Sequence, residues 1–299
     1  MASIEPSVQE LLDSPFGKRN CFTADFFPTP SQLDQWKILS DAYSAYLDAG
    51  SAAPATARAL PGIPRRIHQI WIGGALPSKY RAWAKTWRRF NPGWEYTLWD
   101  EERILGFGLR NEAAFRGSLS YGVKSDIARY EILERLGGVY ADTDFECLAS
   151  FETLHRQCSF YVGTIFNQAP EIANGIMGST PGHPILKSLI KACAEPVVSM
   201  DGMEILEKTG PRLLTRAILE DLQRLGSVGT VVFPSSYFYP LPNFRMGEAK
   251  NPRSAKRFVE GHSLAIHYWE ASWLHRSLMQ RGAAKIRRLL EAFKTRSTD

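Results

Sequence analysis

Residues 121–144 read Tyr121-Gly122-Val123-Lys124-Ser125-Asp126-Ile127-Ala128-Arg129-Tyr130-Glu131-Ile132-Leu133-Glu134-Arg135-Leu136-Gly137-Gly138-Val139-Tyr140-Ala141-Asp142-Thr143-Asp144. Within 121–136, Ile127, Ile132, Leu133 and Leu136 recur at helical spacing, and Gly137-Gly138 supply a C-terminal stop. Val139-Tyr140-Ala141 then enters a strand that ends in Asp142-Thr143-Asp144. A helix, a glycine stop and a strand in succession form the repeating unit of an α/β fold.

The same unit is legible upstream. Ile67-His68-Gln69-Ile70-Trp71-Ile72, halted by Gly73-Gly74, has the mostly apolar run of a buried central strand. Tyr80, Trp83, Trp87 and Phe90 are spaced as one face of a helix, which Asn91-Pro92-Gly93 ends. Trp94 to Asp100 alternates as a second strand. The pattern predicts an α/β fold with a mostly parallel sheet flanked by helices, and ligands at the carboxyl ends of its strands. Beyond Asp144 it loosens, with turns at Pro181-Gly182, Gly210-Pro211 and Pro240-Leu241-Pro242.

Both ends stand apart from this core. In residues 1–60, Leu33, Trp36, Leu39, Tyr43, Tyr46 and Leu47 fall near a helical period, and an Ala/Pro-rich stretch over 49–64 follows. We read 1–60 as a helical N-terminal extension, 61–275 as the core, and 276–299 as part of a C-terminal amphipathic helix. That last helix, from about Trp273 to Phe293, has Leu278, Ile286, Leu289, Leu290 and Phe293 on one side and basic residues elsewhere. It is expected to pack on the core with a solvated outer face, peripheral contact with anionic lipid being the alternative.

The 299 residues are 44% apolar and 22% charged, which excludes a disordered chain. A net charge of +5 is too small to imply nucleic acid and reads first as simple solubility, with a diphosphate or a lipid surface as the alternative. Cys21, Cys147, Cys158 and Cys193 show no CxxC pair and read as reduced thiols. No apolar run approaches the roughly 18 residues of a membrane span, and no secretory signal opens the chain. A cytoplasmic location is the expectation.

On a strand, Asp142 and Asp144 would point to one face, with Cα atoms roughly 6.6 Å apart. Paired carboxylates repel, so a divalent cation or an arginine is the natural compensation, and a hard cation with open positions accepts diphosphate oxygens. An Asp-x-Asp triplet alone is common, so its context decides.

That context resembles a family. Ser125 to Leu133 followed by Gly137 to Asp144 looks like the signature of the DXD-containing sugar transferases. The group includes fungal Golgi mannosyltransferases, bacterial capsular sugar transferases and, more distantly, the glucosylating large clostridial toxins. Ile67 to Gly73 resembles their first strand and Trp94 to Asp100 their second, with weaker echoes at Asn174 to Met177, Pro181 to Pro184, Thr209 to Pro211 and His267 to Trp273. Alanine at 128 and at 141 departs from the larger aliphatics common in the family.

The resemblance implies a GT-A-type (Rossmann-like) fold, a nucleotide-sugar donor and a divalent cation, manganese or magnesium. It also implies transfer of a hexose, with retained anomeric configuration, to a saccharide acceptor such as a surface glycan. UDP-hexoses are favoured over GDP-mannose. In the family pattern Asp144 ligates the metal directly. Asp142 reaches the ribose, the sugar or the metal through water, and His267 is the candidate third ligand. Asp126 and Arg129 meet donor sugar and phosphates, with Ser125 and Ile70 beside them. Trp71 either stacks on the base or is a core tryptophan, and Tyr140 either positions the donor or packs in the core. Asn174 lies near the transferred sugar, and Ser272 and Trp273 sit on a loop that closes over the diphosphate. Asp142, Asp144 and Arg129 would carry the catalysis. A non-catalytic sugar-binding protein on the same scaffold is one rival reading. A metal-dependent phosphohydrolase is the other, and it would need further metal ligands.

Overall fold

A computed structural model describes residues 10–11, 13–17, 28–51, 62–165, 169–199, 201–225 and 229–270. The amphipathic helix expected near the C-terminus falls outside the described residues, as do Ser272, Trp273 and Cys21.

Helix α1 (Pro30–Ser51) opens with a reciprocal cap. The Thr29 N–H donates to Gln32 Oε1 (2.8 Å) and the Gln32 N–H to Thr29 Oγ1 (3.3 Å), while Pro30 lacks an N–H to leave unpaired. Trp36, Leu39 and Tyr43 are buried, and Leu47 is exposed. Tyr43 packs edge-on against Phe233, and its hydroxyl meets that of Tyr237 at 2.9 Å.

Six strands form the central sheet: β1 (Arg66–Ile70), β2 (Glu95–Trp99), β3 (Gly138–Ala141), β5 (Phe160–Thr164), β6 (Ile172–Ser179) and β7 (Thr230–Phe233), in the order β2-β1-β3-β6-β5-β7. β1 runs parallel to β2 and β3, and β5 parallel to β7. β6 runs antiparallel to both its neighbours, because the short link from β5 has no room for a crossover. The expected mixed α/β architecture, mostly parallel, is what the chain adopts. A separate antiparallel ribbon pairs β4 (Phe145–Cys147) with β8 (Ala265–His267), with Phe145 opposite His267.

Helix α2 (Ser78–Phe90) buries Tyr80, Trp83 and Trp87, as their spacing predicts. Trp87 donates through Nε1 to the Phe145 carbonyl (3.2 Å), and Trp83 stacks on Tyr268 with centroids 4.6 Å apart, so α2 clamps the ribbon. Helix α3 (Tyr121–Leu136) is capped by Ser120, whose hydroxyl accepts from the Gly122 N–H. It is buried on more than its apolar stripe: Asp126, Arg129, Glu131 and Glu134 are also inside. Gly138 follows with φ +98° and would bring a Cβ to 2.6 Å from the Arg66 carbonyl oxygen, so only glycine lets β3 lie this close to β1. Helices α4 (Pro184–Ala192) and α5 (Pro211–Leu225) pack on each other, α4 also against α3 and α5 also against β6.

Candidate active site

The carboxyl ends of β1 and β3, the first turns of α3, the middle of β6 and the end of β8 surround a cleft of about 330 Å³. Ile70, Trp71, Ser125, Asp126, Arg129, Tyr140, Asp142, Asp144, Asn174 and His267 all line it. Every described residue singled out from the sequence is therefore brought to one place. A larger cavity, about 480 Å³, lies between residues 10–14 and α1 and contains none of them.

The acidic pair does not sit on a strand as expected. β3 ends at Ala141, and Asp142-Thr143-Asp144 forms a turn closed by the Phe145 N–H donating to the Asp142 carbonyl (3.2 Å). The chain must turn here because β4 leaves the main sheet to join the ribbon. Asp142 is held through its backbone: its N–H donates to the Gly175 carbonyl (2.8 Å), and Gln69 Nε2 donates to the Asp142 carbonyl (3.0 Å). Its side chain accepts from the Tyr140 hydroxyl (2.5 Å) and meets Arg129 at 3.3 Å, both through Oδ1. Asp144 Oδ1 lies 3.1 Å from His267 Nε2, and its Oδ2 accepts from the Glu270 N–H at 3.0 Å.

One oxygen or nitrogen each from Asp142, Asp144 and His267 lies within 4.8 Å of the others. Burial pushes the Asp142 carboxyl above the usual carboxylate range, and the nearby Asp144 charge adds to this against the pull of Arg129. Burial would raise Asp144 too, but His267 and the Glu270 N–H hold it below that range. His267 Nδ1 is buried and has no hydrogen-bond partner among the described residues. Two carboxylates and an imidazole at this separation fit a hard-to-borderline divalent ion such as manganese, whose charge would relieve the repulsion between the acids.

Beneath the pair lies a saturated polar network. Each nitrogen of Arg129 meets a protein oxygen: Nε the Ser125 carbonyl (3.2 Å), Nη1 the Asn174 carbonyl (2.7 Å), and Nη2 the Oδ1 atoms of Asp126 (3.2 Å) and Asp142 (3.3 Å). The guanidinium also lies 4.5 Å from the Tyr140 ring centroid. Asp126 accepts in addition from Asn174 Nδ2 (2.8 Å) and Thr209 Oγ1 (2.9 Å). Burial pushes its carboxyl up to about 6, with Arg129, Thr209 and Asn174 pulling down. Arg129 is only 4% exposed and braces Asp142 and Asp126 while lining the cleft, where the family resemblance had implied a meeting with the donor phosphates.

Trp71 is a buried tryptophan that also lines the cleft. It packs against Tyr80 (centroids 4.8 Å apart) in a buried cluster. Several residues in or behind the cleft escaped the sequence reading. Gln69 accepts from the Tyr96 hydroxyl (2.6 Å) while holding Asp142, and the Tyr239 hydroxyl accepts from the Ile176 N–H (3.1 Å). Gly175 has room for no Cβ, which would stand 2.9 Å from Asp142 Oδ2. A glycine inside a strand is the one signal among these that could have been read beforehand.

Residues 77–161 match the family described as glycosyltransferase sugar-binding region containing a DXD motif. An uncharacterized glycosyltransferase of Acanthamoeba polyphaga mimivirus is 29% identical over 187 residues, 60% of this chain and 73% of its own. Inositol phosphoceramide mannosyltransferase 1 of Schizosaccharomyces pombe is 33% identical over 135 residues, 43% of this chain and 42% of its own, so the match spans less than half of that fungal relative. Among solved structures, the PaToxG glycosyltransferase superposes over 65% of this chain and 82% of its own, at 17% identity and a TM-score of 0.44.

Proposed function

We propose that this chain, which carries the DXD-containing sugar-binding region of the glycosyltransferases, moves a hexose from a nucleoside diphosphate donor to a saccharide acceptor in a divalent-metal-dependent reaction. The observation that supports this best is the meeting of Asp142, Asp144 and His267 in a cleft that already holds a preorganised acid–arginine network. A UDP-hexose is the favoured donor over GDP-mannose, with retention of configuration and a surface glycan as acceptor. We place the enzyme in the cytoplasm; its three described cysteines are free and buried, and no described helix is long and apolar enough to cross a membrane. We also retain the division into extension, core and C-terminal helix at residues 60 and 275.

Asp144, Asp142 and His267 would hold manganese or magnesium, which when bound supplies Lewis-acid stabilisation to the departing diphosphate. The remaining work falls to the chain. Arg129 fixes the Asp142 carboxylate from behind, and Tyr140 fixes it from the side. Asp126, buried and anchored by Arg129, Asn174 and Thr209, lines the floor of the cleft where the sugar would lie. Trp71 offers a flat apolar face to the base, and Ile70 and Ser125 complete that wall. Ser272 and Trp273 are assigned to closure over the diphosphate, which would exclude water. Thermal-shift screening of nucleotide sugars with and without manganese tests the reading. One donor should stabilise the wild type only with the metal, and Asp144→Ala should lose that response. Equal stabilisation of both proteins would overturn the metal assignment.

A further inference from the structure

Within residues 243–257 every side chain but that of Met246 stands outside the cleft lining. They form a 3-10 helix (Asn243–Lys250) and a short α-helix (Pro252–Lys256) packed on each other. Phe244 is 61% exposed and Met246 55%, large apolar surface left in water. Met246 also lines the cleft beside His267 and Trp269, so this segment forms part of the rim.

Its charge is one-sided. Arg245, Lys250, Arg253, Lys256 and Arg257 are exposed, and Glu248 is the only acid in the segment. Glu248 pairs with Arg245 and Arg257, whose guanidinium groups lie 5.3 and 5.1 Å from the Phe258 ring centroid. Lys256 pairs with Glu146 at 2.7 Å. Lys250 and Arg253 have no carboxylate partner among the described residues.

An exposed aromatic and an exposed thioether ringed by excess basic charge are the two halves of an interfacial lipid contact. The apolar side chains enter the headgroup boundary while lysine and arginine meet the phosphates. A purely acidic segment would use the bases but leave Phe244 and Met246 in water, whereas an anionic bilayer takes both at once. We propose that the 243–257 segment is a docking surface for an anionic membrane, seating the chain with the mouth of its cleft toward the bilayer.

Vesicle flotation of the full chain tests this, using phosphatidylcholine with and without phosphatidylglycerol. The readout needs neither donor nor metal, so it succeeds or fails independently of the transfer reaction. The wild type should float with anionic vesicles only, and less so at high salt. The pair Lys250→Glu and Arg253→Glu should cut binding roughly tenfold or more, and Phe244→Ser should weaken it severalfold. All three positions are exposed, so urea midpoints should not move. Equal flotation with neutral vesicles, no flotation at all, or wild-type binding by either variant would overturn the proposal. The last outcome would place the lipid contact elsewhere in the chain.

Discussion

Replacing Asp142 by asparagine should stabilise the metal-free protein while abolishing its response to metal and donor. The ligand atoms of Asp142 and Asp144 lie within 4.8 Å of each other, a repulsion of at least roughly 3.5 kcal/mol at an effective dielectric of about 20. Arg129 at 3.3 Å offers Asp142 roughly 5 kcal/mol of attraction on the same scale, a pull it shares with Asp126. Partial desolvation of the carboxylate, whose side chain is 31% exposed, adds to the repulsion, and the balance goes against the charge, in line with its raised pKa. Asparagine keeps the shape and an acceptor for the Tyr140 hydroxyl. We therefore expect a gain of about 1–2 kcal/mol in urea unfolding with chelator present. Asp144, held charged by His267 and the Glu270 N–H, should behave oppositely: Asp144→Asn should lose stability under the same conditions. Wild type saturated with manganese and donor at about a hundred times Kd should gain about 2.7 kcal/mol, and neither variant should. An Asp142→Asn protein less stable than wild type in chelator would refute the charge argument, and one that kept the manganese gain would refute the ligand assignment.

Arg129→Met should cost about 3–5 kcal/mol by urea unfolding, because it strands the buried Asp126 carboxylate beside Asp142; a loss under 1 kcal/mol would show the network to be expendable. Acid should also weaken the fold. Burial lowers His68, His155 and His183 to about 4, so all three are neutral in the folded protein at neutral pH. The unfolded chain takes up protons below about pH 6.5 while the folded one resists until about 4, so stability is intact above that window and falls as pH drops through it. At pH 5 each histidine should account for about 2 kcal/mol of loss. His183→Asn, which keeps a capping side chain ahead of Pro184, should recover that share between pH 7.5 and pH 5; an unchanged acid loss would remove His183 from the account.

The strands and helices that carry period-2 or period-3.6 apolar patterns were legible from residues alone: β1, β2, α2 and the stripe of α3. What α3 does with its polar residues was not. Glu131 accepts from the N–H groups of Arg110 and Asn111 (2.5 and 2.8 Å), and buried Glu134 pairs with Arg110 at 2.9 Å. A glutamate on a helix reads as solvated until another element is known to lie over it. The Asp142–Asp144 turn misled for a related reason. The residues after it are β-prone, and nothing local says that they pair with a segment 120 residues later rather than continue β3. His267 could be nominated only through family resemblance, because its meeting with Asp144 depends wholly on that distant pairing.

The β4–β8 ribbon sets the order in which the chain can become competent. Asp142 and Asp144 emerge with β3, whereas His267, like the Tyr268 and Glu270 N–H groups that hold Asp144, arrives only when β8 closes against Phe145. During vectorial synthesis the acids therefore exist for more than a hundred residues of elongation without their imidazole, and the triad is completed by one of the last described segments to emerge. Capture of a cation at this cleft would accordingly report that β8 has come home to β4.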